Sequence, residues 1–312
     1  MKSIITEEMR YRKNAVKYAV KCGNYAQAAR RYHTSRQQIS RWVERYDGSW
    51  ESLRAKSRRP LTHPNQHTAE ELQLVRTKYQ RYGHEGLAQV YVECLKQGYH
   101  RHYTTMCKII RKQGWHKNTE EAVKRYPKSK WKPIEVSYPG EKVQIDIKYV
   151  PRECLKFDTR GIRYYQITAI DEYSRKRYCK IVDEKSVTHT AYFLLELEAG
   201  LGFKIDCIQT DNGKEFTNGD DPSAPKTIFE SILALKGIKY LKTRPYSPWQ
   251  NGKVERSHRM DTERFYQKRE FRSVEELVKA HQRYYRRQNN VVTKTLGFKS
   301  PNQVVEEYQK VA

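Results

Sequence analysis

Near residue 140 the apolar pattern of this chain changes its period, and that change limits what the chain can fold into. Downstream, "EKVQIDIKYV" alternates strictly: Val143, Ile145, Ile147 and Tyr149 face one way, and Gln144, Asp146 and Lys148 face the other. Upstream, from residue 7 to residue 116, apolar residues recur at helical spacing instead. The spacing therefore predicts an all-helical N-terminal part followed by a sheet-containing part. At 312 residues the chain is long enough for two or three domains with at least one sizeable core.

In the sheet-containing part, "IRYYQITAID" (162–171), "KRYCKIVD" (176–183), "KIDCIQTD" (204–211) and "IKYLKT" (238–243) read as further strands. "VTHTAYFLLELEAG" and "PKTIFESILALKG" (225–237) read as helices between them, and a helix is expected from Gln250 to about Arg287. The order is three strands, helix, strand, helix, strand, helix. It predicts a mixed α/β sheet rather than a doubly wound parallel one.

Charge separates the same two parts. Residues 1–136 hold 29 Lys and Arg against 12 Asp and Glu; residues 137–312 hold 32 against 24. The whole carries a net charge of +25, which points to a polyanionic partner, with the N-terminal part as its main footprint. In "NYAQAARRYHTSRQQISRWVERY", Ala26, Ala29, Ile39, Trp42 and Val43 share an inner face, and Ser35 with Gln38 forms a capping-box signature. Helix, short turn and capped helix make a helix-turn-helix pattern. Arg36, Gln37, Gln38, Arg41 and Arg45 are then the residues expected to meet phosphates and base edges of DNA. A second unit follows, with helices over "TAEELQLVRTKYQRY", "EGLAQVYVECLKQG" and "YTTMCKIIRKQG". Its third helix is the candidate reader, through Thr104, Thr105, Lys108 and Arg111. Basic, Pro-containing linkers are expected at 55–67 and 117–137, the second with Lys124, Arg125, Lys128, Lys130, Trp131 and Lys132. The expected domains are 1–54 and 68–116 (helix-turn-helix), 138–272 (catalytic) and 273–312 (C-terminal helical).

Some classes are disfavoured. The six cysteines form no Cys-x-x-Cys pair, which argues against a disulfide framework or a structural zinc site. No apolar run approaches the ~20 residues of a membrane span, and "MKSIITEEMR" has no signal-peptide core. The expectation is a soluble intracellular protein without a membrane partner.

The carboxylates suggest chemistry. Asp146 sits within a strand, where a carboxylate must be solvated, paired or metal-bound. Asp211 stands at a strand end and opens "DNGKEF", an Asn-Gly turn. Glu255 lies early in a helix, after "SPWQNGK". Two aspartates at strand positions and a helical glutamate can converge above a sheet edge, and three such hard oxygen donors suit Mg²⁺ or Mn²⁺. Two ions there would clamp a phosphodiester in an in-line displacement. Lys253, Arg256, His258 and Arg259 are candidate DNA contacts beside Glu255, the two arginines best suited to phosphate.

"VQIDIKYV", "IQTDNGKEF" and "YSPWQNGKVERSHR" resemble the three catalytic blocks of the retroviral-integrase-type DDE transposases, in particular bacterial insertion-sequence transposases with an integrase core. "AIDEYSR" (169–175) and "GFKSPNQVVEEY" (297–308) are similar to that family as well. The resemblance implies an RNase H-like fold with Asp146, Asp211 and Glu255 as a metal-binding triad. It also implies metal-dependent cleavage and strand transfer at the terminal repeats of a mobile element, a homodimer or larger assembly, and a bacterial cytoplasmic, nucleoid-associated location. Two features depart from the family: 43 residues separate Asp211 from Glu255, a wide spacing, and helix-turn-helix units replace a His/Cys zinc module. "TNGDDPSAP" reads as the insertion behind the first departure. Two other readings stay open at this stage: a DNA-binding regulator built on a silent transposase core, and an RNase H-like nuclease.

Overall fold

The computed structural model describes residues 5–57, 60, 63–116, 135–219, 223–244 and 247–311. It divides into two compact units, Met1–Gln66 and His67–Ala312. Most of the basic linker, 117–134, lies outside the described residues, including its cations and Trp131.

The first unit holds three helices, α1 (Glu7–Cys22), α2 (Tyr25–Arg31) and α3 (Arg36–Arg45). Asn24 caps α2 by accepting from Ala26 and Gln27 amides, and Ser35 caps α3 by accepting from the Gln38 amide. The small residues Ala15, Ala19, Ala28 and Ala29 let the helices approach closely around Val16, Ile39, Trp42 and Leu53. Of the expected inner face, Ala29, Ile39 and Trp42 are buried, while Ala26 and Val43 are half-buried at its rim.

The second unit begins with another three helices, α4 (Ala69–Tyr82), α5 (Leu87–Leu95) and α6 (Tyr103–Lys112), closed over Val75, Val90, Cys94, Tyr99, Met106 and Ile110. Thr68 and Glu71 make a reciprocal capping box at the start of α4. The sheet follows: β1 (Val143–Tyr149), β2 (Tyr165–Asp171), β3 (Arg177–Val182), α7 (Val187–Leu201), β4 (Cys207–Thr210), α8 (Ile228–Leu235) and β5 (Lys239–Lys242). Its spatial order is β3-β2-β1-β4-β5. β1, β2 and β3 run antiparallel in turn, and β4 and β5 run parallel to β1.

The alternation read from the sequence separates the two faces. Val143, Ile145, Ile167, Ala169 and Ile208 form one core with Phe193, Leu194 and Leu197 of α7 and Phe229 and Leu233 of α8. The opposite face carries Gln144, Asp146 and Lys148, beside Thr168 and Gln166 of β2.

The helix expected from Gln250 to Arg287 is broken. A 3₁₀ turn, Pro248–Asn251, leads into α9 (Gly252–Arg264), and α10 (Val274–Gln288) starts anew after a gap. The break has a physical cause. Phe265, Tyr266 and Phe271 are buried in a second core with Val150, Cys154 and Leu277. Phe271 also exchanges backbone hydrogen bonds with Cys154 and Lys156, both at 2.8 Å, so the chain there must be extended. α11 (Pro301–Val311) ends the described chain.

The α4–α6 block is tied to the sheet's C-terminal helices within the same unit. The buried Glu85 carboxylate takes two hydrogen bonds from the Arg287 guanidinium (2.7 and 2.8 Å), and Gln89 accepts from the Val292 amide (2.8 Å). Phe298 packs against Tyr91 and Tyr103.

Candidate active site

β1 and β4 pair in parallel, with Val143 opposite Ile208 and Gln144 opposite Gln209. Continued two residues, that register brings Asp211 level with Asp146, on the same face of the sheet. Asp146 lies between Ile145 and Ile147 on β1, opposite Thr168 of β2, with a partly exposed side chain. Its Oδ1 accepts from the Ile147 amide at 2.8 Å. Asp211 stands just past the end of β4 and accepts from the Gly213 amide at 3.1 Å, which closes the Asp-Asn-Gly turn. Asn212 ties that turn to β5 through the Thr243 carbonyl (2.9 Å).

Glu255 lies in the first turn of α9, which crosses the polar face of β1. Gln144 meets the start of that helix, and the Lys148 ammonium donates to the His258 carbonyl further along at 3.0 Å. Successive outward residues of β1 thus meet successive turns of α9, since two strand residues advance about 6.7 Å and one helical turn about 5.4 Å.

The Asp146 charge acts on the other two carboxylates. Burial pushes the Asp211 carboxyl above its ordinary range, and the Asp146 charge pushes it further, against the pull of the Gly213 hydrogen bond. Partial desolvation raises the carboxyl of Glu255, largely exposed though it is, and the Asp146 charge adds to this. Carboxylates that repel one another at a partly desolvated point are a donor set that a hard divalent cation relieves. Among the described residues no three His, Cys, Asp or Glu side chains stand close enough to ligate one ion. The fit to a cation is therefore one of charge and donor type.

The other carboxylates near these motifs have different partners. Glu215 is buried and pairs with Lys185 at 2.7 Å. Asp261 is fully buried and pairs with Arg177. Glu263 is solvent-facing and pairs with Arg259 at 3.1 Å.

The four basic residues around Glu255 separate clearly. His258 is buried with Nδ1 3.4 Å from Asp146 Oδ2, and its Nε2 has no hydrogen-bond partner among the described residues. Lys253 is drawn inward onto the Glu172 carboxylate. Arg256 and Arg259 face solvent. In the first unit Arg36, Gln37 and Arg41 are exposed and Gln38 is half-exposed. Arg45 instead clasps the end of α3 to the following turn, donating to the carbonyls of Ser52 and Arg54. On α6, Thr104, Lys108 and Arg111 form an exposed stripe at helical spacing, with Thr105 at its edge.

Sequence reasoning passed over Gln144, Gln209 and Lys148, which connect the sheet to α9. A signal for the glutamines existed: Gln-Ile-Asp at 144–146 and Gln-Thr-Asp at 209–211 repeat one spacing.

Residues 137–248 match the integrase core domain family, residues 236–292 match a second family of the same description, and residues 12–60 match a helix-turn-helix domain. The two core matches overlap and together span residues 137–292, half of the chain. Residues 137–292 thus carry an integrase core domain, with a helix-turn-helix domain ahead of it. Among curated proteins, "Putative integrase ORF3" of Spiroplasma virus SpV1-C74 is 30% identical over 168 residues, covering 51% of this chain and 46% of that protein. The retrovirus-related Pol polyprotein from transposon TNT 1-94 of Nicotiana tabacum is 30% identical over 112 residues, 35% of this chain and 8% of that one. The chain thus spans about half the length of the viral relative. Among solved structures, the HTLV-2 integrase catalytic core domain in complex with magnesium aligns with 54% of this chain and 97% of its own at 18% identity, with a TM-score of 0.40. The domain matches, taken with the sheet order, show an integrase core fold preceded by a helix-turn-helix region. No helix among the described residues is long and apolar enough to cross a membrane.

Proposed function

We propose that this integrase core protein is a DNA transposase that cleaves the 3′ ends of a mobile element and joins them to target DNA. The observation carrying this reading is the β1–β4 register, which brings Asp146 level with Asp211 beneath the helix that bears Glu255. Asp146, Asp211 and Glu255 would hold Mg²⁺ or Mn²⁺, two ions to a site. When bound, these supply the Lewis acidity for in-line phosphodiester displacement.

The chain's own groups supply the rest. His258, buried against Asp146, orients that carboxylate. Arg256 and Arg259 face outward at the site's rim, where a DNA backbone would pass. Arg36, Gln37, Gln38 and Arg41 of α3, and Thr104, Lys108 and Arg111 of α6, would grip the terminal repeats. Two ends must meet for joining, so the active form is a homodimer or larger assembly. Such an enzyme would act on bacterial nucleoid DNA in the cytoplasm.

The test is supercoiled donor DNA carrying element ends, target plasmid, Mg²⁺ and purified protein. Asp146→Asn and Glu255→Gln should each lose cleavage and joining by more than about 100-fold, beyond the cost of losing an outer-shell partner. Full activity in either variant removes the triad. DNA binding with no chemistry, or hydrolysis of RNA–DNA hybrids with no joining, overturns the transposase reading itself.

A further inference from the structure

Among the described residues, eight helices begin with a local side-chain cap, from Thr6, Asn24, Ser35, Thr68, His102, Ser186, Thr227 or Ser273. α9 does not: Asn251 precedes it and makes no capping bond to the helix. The first N–H groups of a helix need partners, and the start of α9 is buried at Asn251 and Val254. The partner comes from another strand. Gln144 Oε1 accepts from the Lys253 amide at 3.2 Å and the Val254 amide at 3.1 Å. Its Nε2 donates to the Gln250 carbonyl and to Glu172 Oε1, both at 2.9 Å. Gln209 does the same from β4, donating to the same Gln250 carbonyl at 2.9 Å and to Asn251 Oδ1 at 3.1 Å. Asn251 is thus committed to Gln209 and unavailable as a cap.

The orientation of the Gln144 amide follows from chemistry. The Glu172 carboxylate and the Gln250 carbonyl only accept, so Nε2 must face them. Oε1 is then left for the two helix N–H groups. Both glutamines are almost fully buried, which leaves no water to replace either bond.

Each glutamine lies two residues before an aspartate, Asp146 within β1 and Asp211 just past the end of β4. The residue after the two clamped amides, Lys253 and Val254, is Glu255. We propose that Gln144 and Gln209 are positioning residues: by gripping the Gln250–Val254 segment from the two strands that carry Asp146 and Asp211, they set where Glu255 stands relative to both aspartates. The repeated Gln-x-Asp is then a single device, each copy joining a carboxylate on a strand to the helix that supplies the third. This rests on the triad reading above.

The experiment uses the full chain with Gln144→Met and Gln209→Met, near-isosteric and without the hydrogen bonds. Amide hydrogen exchange at residues 253–255 in metal-free protein should speed by about tenfold or more in Gln144→Met, as loss of buried hydrogen bonds dictates. Exchange in β2 and α7 should be unchanged. In the joining assay, half-saturating Mg²⁺ should rise and turnover fall by about 10- to 100-fold, the range for removing an outer-shell support, with affinity for element-end DNA unaltered. If Gln144→Met does not fold, Gln209→Met, which loses donors only, carries the same prediction at smaller size. Wild-type exchange at 253–255 together with a wild-type Mg²⁺ requirement in folded variants overturns the proposal. Asp146→Asn run alongside separates the two claims. Its retaining joining activity would refute the triad, whereas the exchange result reports on the clamp either way.

Discussion

His281 gives the most quantitative prediction. It is 1% exposed on α10, its Nε2 has no hydrogen-bond partner among the described residues, and Phe265, Tyr266 and Tyr285 surround it. Burial lowers its pKa to about 4; Asp261 pulls the other way, and Arg177 and His258 add to the depression. In the unfolded chain the same group titrates near ~6.5. Between these values the unfolded state binds the extra proton, so stability falls as pH falls. The stabilisation is complete above about pH 6.5 and drains away towards pH 4. At pH 5 the loss from this one group is about 2 kcal/mol, from about 1.5 pH units below the unfolded pKa at ~1.36 kcal/mol each. That is a large share of the ~5–15 kcal/mol of a typical domain.

The assay is urea unfolding of wild type and His281→Phe at pH 7.5 and pH 5. Other groups titrate across this range, so the informative quantity is the difference between the two proteins. Wild type should lose about 2 kcal/mol more than the variant on going to pH 5. A constant offset from Phe packing cancels in that comparison. If the two proteins lose stability in parallel, to within about 0.5 kcal/mol, His281 is not held neutral and the reasoning fails.

Two further perturbations would separate a structural cation from one proposed to face DNA. Arg36→Ala should leave the melting temperature of the chain unchanged, weaken DNA binding and reduce the salt slope of log K by about one. Arg45→Ala should do the reverse, lowering thermal stability by about 1–2 kcal/mol through the orphaned carbonyls of Ser52 and Arg54; identical behaviour of the two variants would contradict the assignment. Arg287→Met leaves the buried Glu85 carboxylate without its guanidinium partner, and because Arg287 is itself half-exposed the expected cost is about 1–3 kcal/mol. Limited proteolysis should then release the α4–α6 block earlier than from wild type.

Local pattern carried most of the architecture. Strict alternation in Val143–Tyr149 announced a strand with one apolar and one polar face, and Ser35 announced the start of α3. What depended on distant pairing was hidden. The Lys253 and Arg45 side chains read as free cations, yet each is held by groups from another segment, Glu172 in one case and the 52–54 carbonyls in the other. The helix break after Arg264 was invisible because Phe265, Tyr266 and Phe271 continue an apolar pattern a helix would also show. Only pairing with Cys154 and Lys156, more than a hundred residues upstream, makes that segment extended. The levelling of Asp146 with Asp211 likewise rests on a parallel register between strands some sixty residues apart.

Glu255 and Asp261 show how environment, not residue type, divides roles on one helix. They lie six residues apart on α9, about 240° around an ideal helix. Asp261 is 1% exposed and takes bonds from Arg177 Nη1 at 2.9 and 3.0 Å and from Gln166 at 2.8 Å. Burial alone would raise its pKa, but the Arg177 charge and the Gln166 bond hold it below the ordinary carboxylate range. It is ionised, satisfied and closed to any ligand. Glu255 has the opposite surroundings: solvent on one side, a like charge on the other, and no salt-bridged cation among the described residues. Asp261→Ala strands the buried Arg177 guanidinium, whose Nη2 already has no partner, and should cost about 3–5 kcal/mol of stability. The fraction still folded should keep cleaving DNA. Glu255→Gln removes repulsion from Asp146 and should leave the melting temperature unchanged or slightly raised, while cleavage disappears. Thermal melts and cleavage assays on the two variants therefore move in opposite directions. An Asp261→Ala protein that melts like wild type but cannot cut would reverse the assignment of the third carboxylate.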